Sequence, residues 1–433
     1  MRPSTRPRPN GTAKVLMRWR GMGAILAVCF YSLFFSAHLR FQESPIYVRD
    51  GVIFGVASKT VFYDLSSGRT DDHRGIGVQH PAFTLIHQPA AQLCIKLWES
   101  LGQDLGGARK HGVAMLTCLA GAFSVVMIYH ALLWSGSSTL RSILLSMCFG
   151  AGTCTWIISP LPQTWTFAGL GIACLIAVHA RGSLARPIWH LLASVYAMCT
   201  FTGSIIPCLI MVLTRCAQER TQLGHINTKP LIVTLAAFTI SFGLANLQRT
   251  IYPTSTPLPK SLSEWKNQHT QWQATPKTQA LVSRQFFVSN IVAPAEVTSE
   301  RDNTRAKVIL SEPEWSALDL RRGLSGGWLL LLALAFAGLV WRAQIEPFTL
   351  GIISILMWNL AALQWYGAAE TLLPQACLWS GVIVVAVGLG LERTLVHWQR
   401  LTLPVTLFLA VFVSALITRN WMFLQKVANV AGQ

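Results

Sequence analysis

Charged residues are scarce in this chain. Only 12% of its 433 residues are Asp, Glu, Lys or Arg, whereas 52% are hydrophobic. An average soluble domain carries about 25% charged residues, so the composition excludes an ordinary soluble protein. Apolar runs of about 18 residues or more recur along the whole length, which is typical of helices that cross a bilayer repeatedly.

Acidic residues are the scarcer of the two signs of charge. The chain has 18 Asp and Glu against 35 Lys and Arg, which gives a formal net charge of +17. The basic residues lie in the N-terminal tail and between apolar runs, where they orient helices in a membrane. No basic and aromatic surface module is apparent, so we predict no nucleic-acid partner.

The fingerprints of several enzyme classes are also missing. The sequence contains no P-loop, HExxH or dinucleotide-binding pattern. It contains no CxxC pair, and nearly all of its 10 cysteines fall inside apolar runs. None of them lies in the two polar regions that we place outside the membrane, so we interpret them as small apolar packing residues.

The apolar runs predict an all-α polytopic membrane protein with about 11 transmembrane helices. A basic cytoplasmic tail (1–18) precedes an N-terminal transmembrane module (19–247) that includes an extracytoplasmic loop (40–80). A second extracytoplasmic loop (248–324) and a C-terminal transmembrane module (325–433) follow. The predicted crossings are 19–39, 81–101, 112–134, 141–159, 162–180, 188–214, 230–247, 325–342, 347–365, 372–391 and 401–418.

The positive charges orient this scheme with the N-terminus in the cytoplasm, but one loop does not fit. Arg181 and Arg186 fall outside, and the uncharged 159–162 falls inside. Two changes together would repair the scheme. The segment 81–111 would not cross fully, and the long run 188–214, interrupted by Gly203 and Pro207, would form two pieces.

Ionisable residues concentrate in the loop after the first apolar run. Its apolar spacing predicts a short helix on the membrane surface with Asp64 near the end, and His80-Pro81 opens the next helix. Asp64 could act as a general base or ligate a divalent metal, and His73, Arg74 and His80 could bind a phosphate. The alternative is that these four residues are solvated loop charges with no catalytic or binding role. A metal site in Asp71-Asp72-His73 is disfavoured, because adjacent residues in an extended loop point to opposite faces.

Two further junctions carry polar residues at a predicted membrane surface. Gln163 follows a double proline, either lining a cavity or simply ending a helix hairpin. Tyr366 and Glu370 suit sugar or phosphate recognition, or else form an interfacial aromatic belt with a capping acid.

These motifs together resemble the GT-C-fold integral membrane glycosyltransferases, and in particular uncharacterised bacterial members of that group. The matching residues are Phe54-Gly55, Asp64-Leu65, His73-Arg74, His80-Pro81 with Phe83, Pro162-Gln163-Thr164, and Tyr366-Gly367 with Glu370. Where the family pattern has an acid after Phe-Gly, this chain has Ala57, and where it has Pro-Glu, this chain has Gln163.

The resemblance implies a GT-C-like helical bundle with a periplasmic first loop that bears short amphipathic helices. It implies a multi-pass protein of the bacterial cell inner membrane that moves a sugar from a polyprenyl-phosphate-linked donor to a glycan, lipid or protein acceptor. We expect Asp64 as the catalytic carboxylate, His73, Arg74 and His80 as donor-phosphate contacts, and Gln163, Tyr366 and Glu370 as substrate contacts. No cofactor or metal residue is assigned, although a divalent metal is possible. The alternatives are a transporter or flippase of a lipid-linked solute, and a catalytically degenerate assembly protein.

Overall fold

The structure is a computed structural model of the chain. It describes residues 12–68, 80–182, 186–223, 228–254, 276–293, 297–302, 305–310, 320–340, 346–366 and 372–432. Helices dominate this part of the chain. The helices are α1 (Thr12–Phe41), α2 (Ser58–Ser66), α3 (Phe83–Ser100), α4 (Leu105–Trp134), α5 (Thr139–Gly150), α6 (Thr153–Ile158), α7 (Trp165–Ala180), α8 (Pro187–Thr200), α9 (Ile205–Leu223), α10 (Lys229–Ile251), α11 (Pro276–Arg284), α12 (Leu320–Val340), α13 (Pro347–Tyr366), α14 (Leu372–Gln375), α15 (Ser380–His397) and α16 (Thr402–Ala431).

The predicted loop 248–324 contains a two-stranded antiparallel ribbon. Strand β1 (Val297–Asp302) pairs with β2 (Arg305–Leu310), in a register that runs from Val297 opposite Leu310 to Asp302 opposite Arg305.

The prediction of a multi-pass helical membrane protein is confirmed. Seven of the described helices are long and apolar enough to span a bilayer, with continuous internal backbone hydrogen bonding that a lipid environment requires. These stretches are Gly21–Phe41, Leu105–Trp134, Lys229–Ile251, Gly323–Val340, Pro347–Gln364, Ser380–His397 and Gln399–Ala431.

Helices α1 and α4 are antiparallel and define two ends of the bundle. Near the end of α1, the His38 and His111 rings lie 5.3 Å apart, whereas near its beginning Gly23 lies against His130. We call the end at Phe41 the outer end and the end at Trp134 the inner end. On the predicted orientation the outer end is extracytoplasmic.

The predicted crossing at 81–101 is wrong, because both ends of α3 lie in the outer half of the bundle. Its last turn stacks Trp98 on Phe35 at 5.7 Å. Its first turns contact Phe167 at the beginning of α7, with the His87 and Phe167 rings 4.2 Å apart. The polar face of α3 explains its placement, since Gln88 and Gln92 donate hydrogen bonds to the carbonyls of Ser67 and Leu65.

The predicted crossing at 188–214 is two helices, because the chain breaks at Phe201 and turns back. Helix α8 runs antiparallel to α7, with the His179 and His190 rings 4.7 Å apart. Helix α9 returns along α8, so that Arg215 contacts His190. One predicted crossing is therefore replaced by a helix in the outer half, and another by two antiparallel helices.

This path removes the conflict in the charge pattern. After α7 the chain reaches the inner end, where the Arg181 guanidinium lies 5.4 Å from the centre of the Trp134 ring. Arg181 thus lies on the same side as the beginning of α1, as the positive-inside rule expects for a cytoplasmic N-terminus.

Two other predicted crossings are interrupted helices. The run 141–159 divides into α5 and α6 at Ala151-Gly152, and 372–391 contains α14, a short 3₁₀ turn and α15. Both interruptions lie towards the outer end.

Candidate functional site

Helix α2 presents the predicted catalytic carboxylate on its buried face. Val61 and Leu65 lie on that face with 2% and 0% of their surfaces exposed, and Asp64 between them is also 0% exposed. Asp64 was predicted near the end of a short surface helix, and α2 confirms the helix. Burial of a carboxylate is costly, which makes this position a functional candidate.

A second acid of the loop, Asp50, holds the beginning of α2. Its Oδ1 accepts a hydrogen bond from the Thr60 backbone N–H at 3.0 Å, and its Oδ2 accepts one from the Thr60 hydroxyl at 2.8 Å. A carboxylate at a helix N-terminus satisfies an orphan donor and complements the helix dipole. Asp50 therefore serves the structure of the loop by holding the beginning of α2.

The position at which the family pattern has an acid is the residue that directly precedes α2. Ala57 lies there, with no side chain that could cap the helix. The role that a carboxylate could serve at this helix end is taken by Asp50 from the preceding turn.

That preceding turn is strained. Gly51 and Gly55 have φ of 76° and 68°, and Phe54 has φ of 50° although it carries a large side chain that is 3% exposed. A buried aromatic residue in the left-handed region persists only where its surroundings fix it, and such positions cluster near functional sites.

The loop is tied to the bundle at its beginning by two histidines. Tyr47 Oη lies 2.9 Å from His38 Nδ1, and His38 Nε2 lies 3.1 Å from His111 Nδ1. Lys110 Nζ donates to the Gln42 carbonyl at 3.2 Å and lies over the Tyr47 ring. This hydrogen-bonded chain joins the loop to α1 and α4.

The other end of the loop is tied down by His80. Its Nδ1 donates to the Thr200 carbonyl, which fixes Nε2 as the acceptor of a hydrogen bond from the Thr164 hydroxyl at 2.9 Å. Burial lowers the pKa of His80 to about 4, against a smaller opposing effect of the hydrogen bond to Thr200. His80 is thus neutral and 4% exposed, and its ring joins α3 to the ends of α7 and α8.

These contacts give His80 a positioning role. Both of its ring nitrogens bind protein groups, and its predicted contact with a donor phosphate stays a prediction. Trp165 and Phe201 pack around the ring at 5.2 and 6.0 Å between centroids.

Gln163 likewise serves the beginning of a helix. Its Oε1 accepts the Trp165 backbone N–H at 2.5 Å, and its Nε2 donates to the Thr166 hydroxyl. The side chain is 1% exposed. These contacts agree with the alternative of a proline-terminated helix junction, and the predicted substrate contact of Gln163 stays a prediction.

The other predicted site residues lie wholly or partly outside the described part of the chain. His73, Arg74 and Glu370 are not among the described residues, and Tyr366 is described only as the last residue of α13. Their roles stay predictions.

Among the described residues, no group of three or more His, Cys, Asp or Glu side chains could hold a metal ion. Asp64 is described, whereas Asp71, Asp72 and His73 are not, and the possible divalent metal stays a prediction.

Sequence reasoning missed one polar residue that organises the outer end. Asn420, in α16, is 1% exposed. Its Nδ2 donates to the carbonyls of Ala151 at 2.6 Å and Ile291 at 2.8 Å, and its Oδ1 accepts the Ala293 N–H at 3.0 Å. It joins the break between α5 and α6 to the turn after α11. The sequence did contain a signal for this residue, because Arg419 and Asn420 are adjacent polar residues within an apolar run.

Comparisons with known proteins find similarity at the level of structure. No protein-family model matches the sequence, and no curated protein matches it. Among solved structures, the chain is similar to ArnT from Cupriavidus metallidurans bound to undecaprenyl phosphate, with 12% identity and a TM-score of 0.49. The match covers 98% of this chain and 77% of the other. A likeness of this degree establishes neither a shared fold nor a shared function.

Proposed function

We propose that the protein is a GT-C-like integral membrane glycosyltransferase. It moves a sugar from a polyprenyl-phosphate-linked donor to an acceptor outside the cytoplasm. The motif resemblance suggests the reaction class, and the buried position of Asp64 on a packed helix supports its choice as the carboxylate.

The observation that carries this proposal is the placement of Asp64. It is fully buried on a helix whose N-terminus is capped by Asp50, in a loop held at both ends by buried histidines. A loop charge that serves only solubility needs neither a buried position nor a capped helix nor hydrogen bonds that fix the ends of its loop. A site built on a packed helix is also held more accurately than one on a free loop.

The proposed chemistry is a displacement at the anomeric carbon of the donor sugar. Asp64 takes the proton of the acceptor hydroxyl, and the acceptor oxygen forms a bond to that carbon. The bond from the carbon to the phosphate oxygen breaks, and its electron pair leaves with the polyprenyl phosphate. Phosphate is a good leaving group, so a carboxylate and positive charges at the phosphate suffice.

Arg74 and His73 are proposed to supply that positive charge, and Tyr366 and Glu370 to contact the acceptor. His80 positions the loop. We assign the general base to Asp64 rather than to residue 57, because Ala57 has no ionisable group.

The test is a set of single variants in cells whose envelope glycans are profiled by mass spectrometry. Asp64→Asn keeps the shape of the side chain and removes its basicity, so transfer should fall by about 100-fold or more. Arg74→Ala should also reduce transfer strongly, because it removes charge at the leaving phosphate.

Glu43→Gln is the matched control, since it changes an acid of the same loop that is exposed. It should retain transfer at comparable protein abundance. Unchanged glycans in both Asp64→Asn and Arg74→Ala would refute the site. If only deletion of the whole protein altered the glycans, the assembly role would be favoured. Donor lipid retained on the inner leaflet would favour the transporter.

A further inference from the structure

Two cysteines that are far apart in the sequence meet at the outer end of the bundle. Cys154 lies in α6, and Cys377 lies in the short turn Ala376–Leu378 between α14 and α15. Their Sγ atoms are 3.2 Å apart, across 223 residues of sequence. Both are free thiols in the structure.

The backbone on both sides of the pair is firmly held. The Cys154 N–H donates to the Asn290 carbonyl at 3.0 Å, and the Cys154 thiol donates to the Leu373 carbonyl at 3.2 Å. The other side is packed against α7, where a Cβ added to Gly169 would lie 2.8 Å from the Cys377 carbonyl oxygen. The two thiols are therefore already close before any bond forms.

The pair also lies in the outer half of the protein, where a disulfide can form and persist. Helix α6 follows the break that Asn420 holds at the outer end, which is extracytoplasmic on the predicted orientation. Disulfides form and persist outside the cytoplasm, whereas cytosolic thiols are kept reduced. The expectation that all cysteines are packing residues does not account for two sulfurs in contact.

We propose that Cys154 and Cys377 form a disulfide that links α6 to the turn before α15. This link would fix the C-terminal side of the segment that contains Tyr366 and Glu370. It does not depend on the glycosyltransferase proposal.

The bond forms by exchange with an extracytoplasmic disulfide oxidant, either a protein or a small molecule. Cys377 is the more exposed thiol, so its thiolate attacks one sulfur of the oxidant and releases the other as a thiolate. The Cys154 thiolate then attacks the Cys377 sulfur and displaces the second oxidant sulfur. The two cysteines lose two electrons and two protons, and the oxidant becomes a dithiol.

The test traps thiols in intact cells with N-ethylmaleimide, purifies the full-length protein in detergent and digests it without reduction. Mass spectrometry should find one cross-linked peptide pair that contains residues 154 and 377, and dithiothreitol should abolish it. The cross-link should be lost in Cys154→Ser and in Cys377→Ser. It should be retained in Cys118→Ser, which changes a buried thiol of α4.

The wild-type protein gives a second measurement that needs no variant. Purified protein that has been reduced and then exposed to oxidised glutathione should regain the same cross-linked peptide, and its Tm should rise. The proposal is overturned if both residues carry the alkylating label in cells and remain free after oxidised glutathione. It is also overturned if Cys154 is found linked to a different cysteine.

Discussion

The two ends of the helical bundle are built differently. At the outer end helices break, and buried side chains bind backbone groups that the breaks expose, as Asn420 does for Ala151. At the inner end α4 and α5 are joined by a short turn, and charged side chains pair with one another. Arg141 there binds Glu392 with two hydrogen bonds of 2.7 Å each.

On the proposed function, this difference separates the end that carries the site from the end whose charges orient the helices. Broken helices are tolerated at membrane depth only where protein or an aqueous cavity satisfies the backbone. Their concentration at one end therefore indicates a network of buried polar groups, which we call a constructed end. Surface ion pairs contribute little to stability, and the inner charges mainly set the direction of the helices. Loss of one polar side chain should therefore matter far more at the outer end.

The largest expected effect on stability is that of Asn420→Leu. The substitution leaves the Ala293 N–H and the Ala151 carbonyl without their side-chain partner, and each buried orphan costs about 1 to 3 kcal/mol. The free energy of unfolding should fall by about 4 kcal/mol, measured by denaturation in detergent.

The control for this prediction is Asn246→Leu. Asn246 is exposed on α10 and binds only the Phe242 carbonyl one turn earlier among its described contacts. Its loss should change stability by less than about 0.5 kcal/mol. Equal effects of the two variants would remove the distinction between a constructed outer end and ordinary helix surfaces.

A smaller effect, with a defined pH dependence, is expected from His80. Its folded-state pKa is about 4, below the ordinary value of 6.5. Between these values the unfolded chain binds a proton that the folded protein does not bind, so stability falls as pH drops from 6.5 to 4. The full change from this group is about 3 kcal/mol.

The measurement compares the thermal midpoints of wild type and His80→Gln across this pH range. The variant is less stable near neutral pH because it loses the bonds to Thr164 and Thr200. The difference between the two proteins should narrow as pH falls, since only the wild type loses the contribution of His80. A constant difference would mean that His80 is not held neutral in the fold.

The smallest effect is expected at the inner end. Arg141 and Glu392 have side-chain exposures of 11% and 20%, and a partly exposed pair of this kind is worth about 1 kcal/mol or less. A double-mutant cycle with Arg141→Gln and Glu392→Gln measures this coupling. A coupling as large as the loss in Asn420→Leu would show that the inner end is also a constructed network.

The membrane character and much of the path could be predicted from hydropathy and charge. The misfit of Arg181 indicated where the first scheme failed, and its repair required the two changes that the structure has. The position of α3 could not be decided, because the Gln88 and Gln92 side chains find carbonyls of α2 only in the folded protein. An apolar run with a polar face looks the same in sequence whether it crosses a membrane or lies along another helix.

The candidate site was predictable in type but not in detail. Asp64 was placed on a short helix from its spacing alone. The contacts of His80 and Gln163, whose side-chain nitrogens and oxygens bind backbone and hydroxyl groups, were not predicted. Nothing local to these residues in the sequence reveals those partners.

The sequence by itself determined that this chain folds as helices in a membrane, because long apolar segments in lipid must satisfy their backbone groups internally. It also determined which loop holds the ionisable residues. Only the tertiary structure decided which polar groups meet at the helix breaks. His80 and Thr164 are 84 residues apart, and Asn420 and Ala151 are 269 apart. Contacts at such separations depend on how whole helices pack, and no local pattern encodes them.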